Sequence, residues 1–335
     1  MQRVLVVPRR VVKTAALAAL AVFTACDRPA TAPEVPLAAS LAKGGNGVGA
    51  LPTRYVLPGA NVFPEGIAFD QRTQSVFVSS TTNGAIFRGG SGDENLEVFL
   101  APGVDGRTTA IGLDVDDDGH LFVAGGGTGF IFVYDANTGQ LIERLSGGSS
   151  PTFINDIAVD KDGRAYITDS MSPVIYRVVP DGTGGYTLER WLELAGTPIQ
   201  YRMGFNLNGI VASSNGKFLY TVQSNTGLLF RIDIETKEIV QLDVGGALFM
   251  AGDGLWLHDN SLYVLQNSLE LITKIRLNPN QATGTVVSQT TDPSFMFPTS
   301  LVIARGRMLV VNSQFDRRAA ANPVLPFTVS VVPVP

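Results

Sequence analysis

The chain has 335 residues, 16% of them charged, and its formal net charge is −5. Since no excess of Lys and Arg is available to neutralise phosphates, the composition argues against nucleic acid as a partner. The length allows a sizeable buried core, and 36 glycines suit many short strands joined by tight turns.

The amino terminus has the pattern of an export signal. A basic segment precedes the apolar run 15–23, which is too short to cross a bilayer. The run ends at Phe23-Thr-Ala-Cys26, which resembles the lipobox of bacterial lipoproteins, although Phe23 stands where Leu is usual. We therefore predict a signal peptide over residues 1–26, lipidation of the single cysteine Cys26, and a membrane-attached protein at the periplasm or cell surface. The alternative is cleavage that leaves Cys26 unmodified.

Residues 27–51 are rich in Pro, Ala and Gly, a composition that cannot bury enough apolar area to fold. We predict that this segment is a flexible linker. The remaining residues, 52–335, are predicted to form one domain.

A short apolar strand recurs six times in this domain. Its copies begin every 44 to 53 residues, at Glu65, Ile111, Asn155, Asn208, Asp253 and Thr299. After each copy come a turn and a second strand with alternating β-branched and aromatic residues. Because a period of about 40 to 50 residues built from four short strands is typical of a β-propeller, we predict an all-β fold with six blades.

The sixth repeat has its third strand at residues 327–332, and no fourth strand follows it. Its outer strand must come from elsewhere in the chain, and Arg54–Leu57 is the unpaired candidate just before the first repeat. We predict that this N-terminal strand closes the last blade, which leaves no bare sheet edge at the join.

Strand direction places chemically active side chains on one face of the predicted disc. Consecutive strands in a blade are antiparallel, so the start of each first strand and the end of each second strand share a face. Four of the six leading residues offer oxygen ligands there: Glu65, Asn155, Asn208 and Asp253. The ends of the second strands add further candidate substrate contacts, namely Gln223, Gln266 and Asn312.

Two carboxylates and two amide oxygens that converge on one channel form a site of hard oxygen donors. Such a site suits Ca²⁺ better than a thiolate-seeking metal, and Zn²⁺, Mn²⁺ and Mg²⁺ stay open as alternatives. A single Asn or Asp at a strand start is ordinarily a turn residue, and the prediction depends on four of them at equivalent positions.

The segments Pro64-Glu65-Gly66, Phe153-Ile-Asn155-Asp156, Asn208-Gly209 and Asp253-Gly254 resemble the SMP-30/gluconolactonase/luciferin-regenerating enzyme (LRE)-like family over about residues 52–335. The resemblance implies a six-bladed propeller in which the matching Glu, two Asn and Asp surround a divalent metal. It also implies hydrolysis of a lactone or ester, with the metal polarising the carbonyl and Asp253 activating water as general base.

This chain departs from the sugar-lactone members at one position. They carry an Arg two residues before the Asn, whereas this chain has Phe153, and Phe63 and Phe297 stand at the same offset in other repeats. These rings predict a less polar small-molecule substrate, or they only pack the loops above the disc. Arg202, in the loop before Asn208, is a candidate positive group.

Competing motifs carry less weight. Both histidines, His120 and His258, fall on the opposite face, which argues against Ser-His-Asp catalysis. The segment Asp114–Gly119 matches half of an EF-hand loop but has no acidic residue at position 12, so it predicts a hairpin turn. A metal-dependent hydrolase is the first functional hypothesis, and a non-catalytic exported propeller that binds a ligand or protein is the alternative.

Overall fold

The structure, a computed structural model, describes residues 50–148 and 151–335. These residues form six four-stranded sheets, with every strand pair antiparallel. The predictions on residues 1–49, including the signal peptide, Cys26 and most of the linker, lie outside the described residues. No helix within the described part of the chain is long and apolar enough to span a membrane.

Each of the first three blades contains four strands that are consecutive in the chain. Blade one consists of β2 Pro64–Asp70, β3 Ser75–Ser80, β4 Ile86–Gly90 and β5 Glu97–Leu100. Blade two consists of β6 Leu113–Val115, β7 His120–Ala124, β8 Phe130–Asp135 and β9 Leu141–Ser146. Blade three consists of β10 Ile154–Val159, β11 Ala165–Asp169, β12 Val174–Pro180 and β13 Tyr186–Glu193.

Blades four and five follow the same order, and blade six takes its outer strand from the start of the domain. Blade four consists of β14 Leu207–Ala212, β15 Phe218–Gln223, β16 Leu228–Asp233 and β17 Ile239–Gln241. Blade five consists of β18 Gly252–His258, β19 Ser261–Gln266, β20 Leu271–Leu277 and β21 Gly284–Thr290. Blade six consists of β22 Pro298–Ala304, β23 Arg307–Asn312, β24 Phe327–Pro333 and β1 Arg54–Leu57.

The N-terminal strand closes the ring as the sequence predicts. Strand β1 pairs with β24 along its whole length, from Arg54 opposite Ser330 to Leu57 opposite Phe327. The six-bladed all-β propeller is therefore confirmed, and both ends of the domain are hydrogen-bonded into one blade. Strand β1 thus covers the edge that β24 would otherwise present, so that blade six has four strands like the others.

The core consists of six apolar clusters, one between each pair of neighbouring blades. The alternating residues of a strand point to the two faces of its sheet, so each blade contributes to two clusters. The second strands carry the most burial, and all six residues of β3 and of β19 are buried. Packing of blade on blade is thus the interaction that fixes the first strands around the axis.

The first strands approach one another closely where glycine follows the leading residue. A Cβ on Gly209 would lie 2.1 Å from the carbonyl oxygen of Asp253 in the next blade, and one on Gly66 would lie 2.3 Å from that of Ile111. Gly112 and Gly254 have the same kind of contact. Any larger residue there would force neighbouring blades apart.

Replacing Gly209 by Ala is therefore expected to lower the free energy of unfolding by about 1–3 kcal/mol, because the added methyl group overlaps the backbone of blade five. Gly127→Ala is the matched control, since its Cβ would meet no atom within 4 Å. Denaturant unfolding of both variants measures the difference. Equal losses would contradict the close approach of the blades.

Candidate metal and substrate site

A cavity of about 790 Å³ opens at the axis on the face where the first strands begin and the second strands end. We call this the mouth face. All four predicted ligands, Glu65, Asn155, Asn208 and Asp253, line the cavity, although they come from four different blades. The structure thus brings together side chains that are far apart in the sequence, since Glu65 and Asp253 are separated by 188 positions.

A local irregularity of the first strand turns each of these side chains toward the cavity. The register between first and second strands shifts at Pro64/Ile67, Ile154/Ile157, Leu207/Ile210 and Gly252/Leu255. Each shift contains one of the four residues. Because a β-bulge bends its strand and re-aims the extra side chain, the repeated bulge explains why all four point out of the regular pleat.

The turn that enters the strand is strained in three blades. Phe63, Ala251 and Phe297 have φ values of 42°, 54° and 51°, although none of them is glycine. Each lies two residues before a leading residue, and its carbonyl oxygen accepts a hydrogen bond from the residue after the second strand, as Thr81 Oγ1 donates to Phe63 at 2.7 Å. A left-handed residue of this type persists only when its surroundings hold it, and here they hold the entry to the site.

Ser170 fixes the orientation of the Asn155 amide. Its hydroxyl donates its single proton to the Leu207 carbonyl at 2.6 Å, and the same oxygen lies 2.8 Å from Asn155 Nδ2. Since the hydroxyl has no second proton to give, it can only accept from Asn155, and the amide nitrogen must face Ser170. The oxygen Oδ1 is therefore turned away from Ser170; it is buried and has no hydrogen-bond partner among the described residues.

Ser224 repeats this arrangement one blade further on. Its hydroxyl donates to the carbonyl of Gly252 and accepts from Asn208 Nδ2 at 3.2 Å. The same proton count assigns the amide nitrogen of Asn208 to Ser224. The amide orientations of Asn155 and Asn208 are thus set by serine hydroxyl groups.

The two carboxylates are held differently. Asn267 Nδ2 donates to Asp253 Oδ2 at 2.9 Å, which fixes one oxygen of this carboxyl group. Glu65 Oε2 is buried without a hydrogen-bond partner from the described residues. An unpaired buried carboxylate oxygen is costly, so Glu65 requires either a proton or a cation.

Burial and neighbouring charge raise the pKa of both carboxyl groups. Burial, together with the charge of Asp156, raises the pKa of Asp253 to about 7, although hydrogen bonds from Asn267 and Asn208 oppose the shift. Burial also raises the pKa of Glu65 well above its usual range, with Asp253 and Asp156 adding to the effect. Ionising both carboxyl groups without a counter-ion is therefore unfavourable, and a bound cation would remove that cost.

Asp156 and Asp114 line a smaller cavity of about 210 Å³ among the first strands. Asp156 Oδ2 accepts the Ile210 backbone N–H at 3.0 Å, and Asp114 Oδ2 accepts that of Val159 at 2.7 Å. Each carboxyl group therefore links its own first strand to the next blade. Burial raises the pKa of both groups to about 7.

The residues of the site pass the chemical test for a divalent cation. Two acidic side chains, two amides with fixed orientation, and two buried oxygens without protein partners, Glu65 Oε2 and Asn155 Oδ1, line one cavity. Oxygen donors of this kind are ligands for hard divalent cations. Glu65, Asn155, Asn208 and Asp253 are therefore the residues that would hold one.

The walls of the cavity are largely apolar. They include six large apolar side chains, namely Ile111, Phe153, Phe205, Met250, Phe297 and Phe315. Phe153 and Phe205 meet edge to face with ring centroids 5.0 Å apart. Arg318 is the one cationic side chain among the described lining residues, and its guanidinium lies over the rings of Phe63 and Phe315.

Two of the three predicted phenylalanines, Phe153 and Phe297, line the cavity, whereas Phe63 is buried against Phe327 at 5.1 Å. Arg202 is exposed on its loop and does not line the cavity. The sequence places these residues at the mouth, but it does not show which way their side chains turn.

The three amide side chains at the ends of the second strands are buried and hold loops instead of lining the cavity. Gln223 Nε2 donates to the Gln200 carbonyl at 2.9 Å, and Gln266 Nε2 donates to that of Met250 at 3.1 Å. Asn312 Oδ1 accepts the Met296 backbone N–H at 3.0 Å. These side chains stabilise the rim of the mouth because each is hydrogen-bonded to the loop that enters the first strand of its own blade.

A second group of potential metal ligands, Asp116, Asp118 and His120, lies at the opposite face. Asp116 Oδ1 accepts the backbone N–H groups of Asp118 and His120, and Asp116 Oδ2 lies 2.8 Å from His120 Nδ1. These contacts are those of the hairpin turn between β6 and β7 that the sequence predicts. His258 ends β18 and is also remote from the mouth face.

Residues 63–254 match the profile described as the SMP-30/Gluconolactonase/LRE-like region. The chain belongs to this family. Members of the SMP-30/Gluconolactonase/LRE-like family typically depend on a metal ion. A comparison with curated protein sequences gives no significant match.

Solved structures share the propeller at low sequence identity. The Malassezia sympodialis allergen Mala s 1 is 13% identical with a TM-score of 0.63, and the alignment covers 84% of this chain and 96% of the allergen. A Xanthomonas campestris gluconolactonase is 16% identical with a TM-score of 0.57 over 82% and 86% of the two chains. A Staphylococcus aureus virginiamycin B lyase is 11% identical with a TM-score of 0.57 over 83% of each chain. These similarities establish the fold alone.

Several site residues escape the sequence reasoning. Ser170, Ser224 and Asn267 follow the ends of second strands at equivalent repeat positions, so the repeat alignment contains a signal that could have found them. Phe205, Phe315 and Arg318 lie in loops whose lengths differ between repeats, and no periodic signal marks them.

Ser170→Ala and Ser224→Ala are each expected to weaken the binding of an added divalent cation by about 10- to 100-fold, because the asparagine amide that each serine orients becomes free to turn. Isothermal titration calorimetry measures the affinity, and circular dichroism verifies the fold. Ser214→Ala, an exposed serine on the opposite face, is the control. An unchanged affinity in both site variants would show that the serines do not set the ligands.

Proposed function

We propose that the protein is a divalent-metal-dependent hydrolase that opens a lactone or cleaves an ester. The observation that carries the proposal is the set of four oxygen ligands in one cavity, two of which have buried oxygens without protein partners. Family membership supports a lactonase-type propeller. Ca²⁺ is the proposed ion because all four donors are hard oxygens, and Zn²⁺, Mn²⁺ and Mg²⁺ are the alternatives.

A divalent cation in such a site supplies Lewis acidity that polarises the substrate carbonyl. The protein itself contributes the general base. Asp253 lines the cavity, and the hydrogen bond from Asn267 holds its carboxyl group in one orientation. Asp253 acts in its ionised form, because only the carboxylate can accept a proton from water.

The reaction then needs two proton transfers, one from water to Asp253 and one from Asp253 to the departing oxygen. Asp253 takes a proton from water while the water oxygen bonds to the acyl carbon. The bond between the acyl carbon and the ring or ester oxygen breaks, and the departing oxygen takes the proton back from Asp253. No histidine is needed, and both histidines of the chain lie on the opposite face.

The walls of the cavity favour a substrate with an apolar part. A volume of about 790 Å³ lies in the range that holds drug-sized ligands, and four phenylalanine rings contribute to the walls. Burial of apolar surface against these rings contributes about 25 cal/mol of binding free energy for each Å² removed from water. We therefore propose aryl- or alkyl-substituted lactones and esters ahead of sugar lactones.

Asp253→Asn is expected to reduce kcat by about 10²- to 10⁴-fold, because the amide keeps an oxygen ligand but cannot accept the proton from water. Turnover of a lactone panel, metal content and thermal unfolding are measured on the same preparation. Asp259→Asn, on an exposed turn of the opposite face, is the control. Unchanged turnover in the Asp253→Asn variant would reject Asp253 as the base. A folded wild-type protein that neither binds metal nor hydrolyses any member of the panel would favour the alternative, a non-catalytic propeller that binds a ligand or protein.

Phe205→Ala is expected to raise KM for a phenyl-substituted lactone by about tenfold or more, since the ring forms part of the apolar wall. An aldonolactone is the internal control, because its polar surface gains little from the ring. Initial rates over a concentration series give both constants. An equal rise in KM for the two substrates would contradict an apolar subsite at Phe205.

A further inference from the structure

The exposed apolar side chains are distributed very unevenly. Among the described residues, eleven large hydrophobic side chains are exposed. Val98 and Val287 lie on the outer strands β5 and β21, and the remaining nine lie in loops of the mouth face. The nine are Val104, Met171, Met203, Phe205, Leu248, Met250, Leu269, Val324 and Leu325.

Eight of the nine follow one another around half of the ring, and we call them the apolar arc. It comprises Met171, Met203, Phe205, Leu248, Met250, Leu269, Val324 and Leu325, from the loops of blades three to six. Phe205 and Met250 also line the cavity, so the arc is continuous with its apolar wall. Exposed apolar surface next to an apolar cavity marks an interaction site.

The loops of the apolar arc are tied down in the exposed position. Met203 is 98% exposed, yet its carbonyl accepts a hydrogen bond from Asn225 Nδ2 at 3.2 Å. The backbone of Val324 is bonded on both sides by Gln314, at 2.9 Å and 2.7 Å. The side chains are therefore presented to the outside by hydrogen-bonded loops and do not fold back onto the domain.

We propose that the mouth face docks on a lipid bilayer through the apolar arc. Single Met, Leu, Phe and Val side chains on separate loops can each enter the headgroup region, where apolar surface leaves water. Exposed charges of both signs accompany them on this face, namely Arg202, Asp316 and Arg318. The apolar side chains therefore drive the contact, and salt screens it little.

The length of chain before the domain is compatible with this orientation. Residues 27–49 separate Cys26, the predicted lipid attachment site, from the described domain and span at most about 80 Å when extended. The chain enters blade six at Arg54, at the end of β1 away from the mouth, and β1 then runs to Leu57 at the mouth end. A lipid-anchored tether of this length would keep the domain near a membrane, but it would not determine which face of the disc meets the bilayer. In our proposal the apolar arc determines this orientation.

Docking in this orientation would open the cavity directly onto the lipid. Amphiphilic esters and lactones partition into a bilayer, and they could enter the cavity without crossing water. This consequence for the substrate rests on the proposed function, whereas the docking itself does not.

The test places an environment-sensitive fluorescent probe on either side of the disc. The full-length chain carries Cys26→Ser with Met203→Cys on the mouth face, or Cys26→Ser with Val98→Cys on the outer edge. Vesicles of phosphatidylglycerol and phosphatidylethanolamine are then added. We expect brighter, blue-shifted emission from position 203 and unchanged emission from position 98. No change at 203, or equal changes at both positions, would overturn the proposal.

A second pair of variants measures affinity. Met203→Asp with Leu248→Asp is expected to reduce vesicle binding in co-sedimentation by about tenfold or more, and Val98→Asp with Val287→Asp to leave it unchanged. Binding that is unaffected by the first pair, or that is abolished by 0.5 M salt, would contradict apolar docking. A shift at position 203 without vesicles, together with a dimer in sedimentation, would assign the arc to a second copy instead.

Both readouts are independent of catalysis. A protein that docks but hydrolyses nothing would reject the proposed function alone. A protein that hydrolyses lactones but shows no change at position 203 would reject docking alone.

Discussion

The close approach of the first strands around the axis is the constraint on which the rest of the structure depends. At Gly209 and Gly66 the backbone of one blade lies where a Cβ would otherwise stand. The bulges at the same level turn the preceding side chains toward the cavity. Packing of the six apolar clusters therefore does more than stabilise the disc, because it also sets the spacing of the four candidate oxygen donors.

Hydroxyl groups fix the orientation of the two asparagine amides within that spacing. An asparagine can present either its oxygen or its nitrogen, and only the oxygen binds a cation. Ser170 and Ser224 decide the matter because each gives its proton to a backbone carbonyl of the next blade. The orientation of the site thus depends on the same contacts between blades that hold the fold together.

One face of the disc carries both the cavity and most of the exposed apolar surface. The loops of this face are not constrained by the strand repeat, so they vary in length and bring Phe205, Met250 and Phe315 to the cavity. Variation in loops on a rigid scaffold is where specificity usually resides. In this protein the loops supply apolar side chains to the cavity, whereas the first strands supply its carboxyl and amide groups.

The amino-acid sequence alone predicts six blades, the closing strand Arg54–Leu57, and the location of Glu65, Asn155, Asn208 and Asp253 on one face. These features follow from periodicity and strand direction, which are local properties of the chain. The folded structure was needed to show that Gln223, Gln266 and Asn312 hold loops, and that Ser224 orients Asn208 through the carbonyl of Gly252. Such contacts join different blades or irregular loops, and neither strand periodicity nor repeat spacing specifies which side chains meet there.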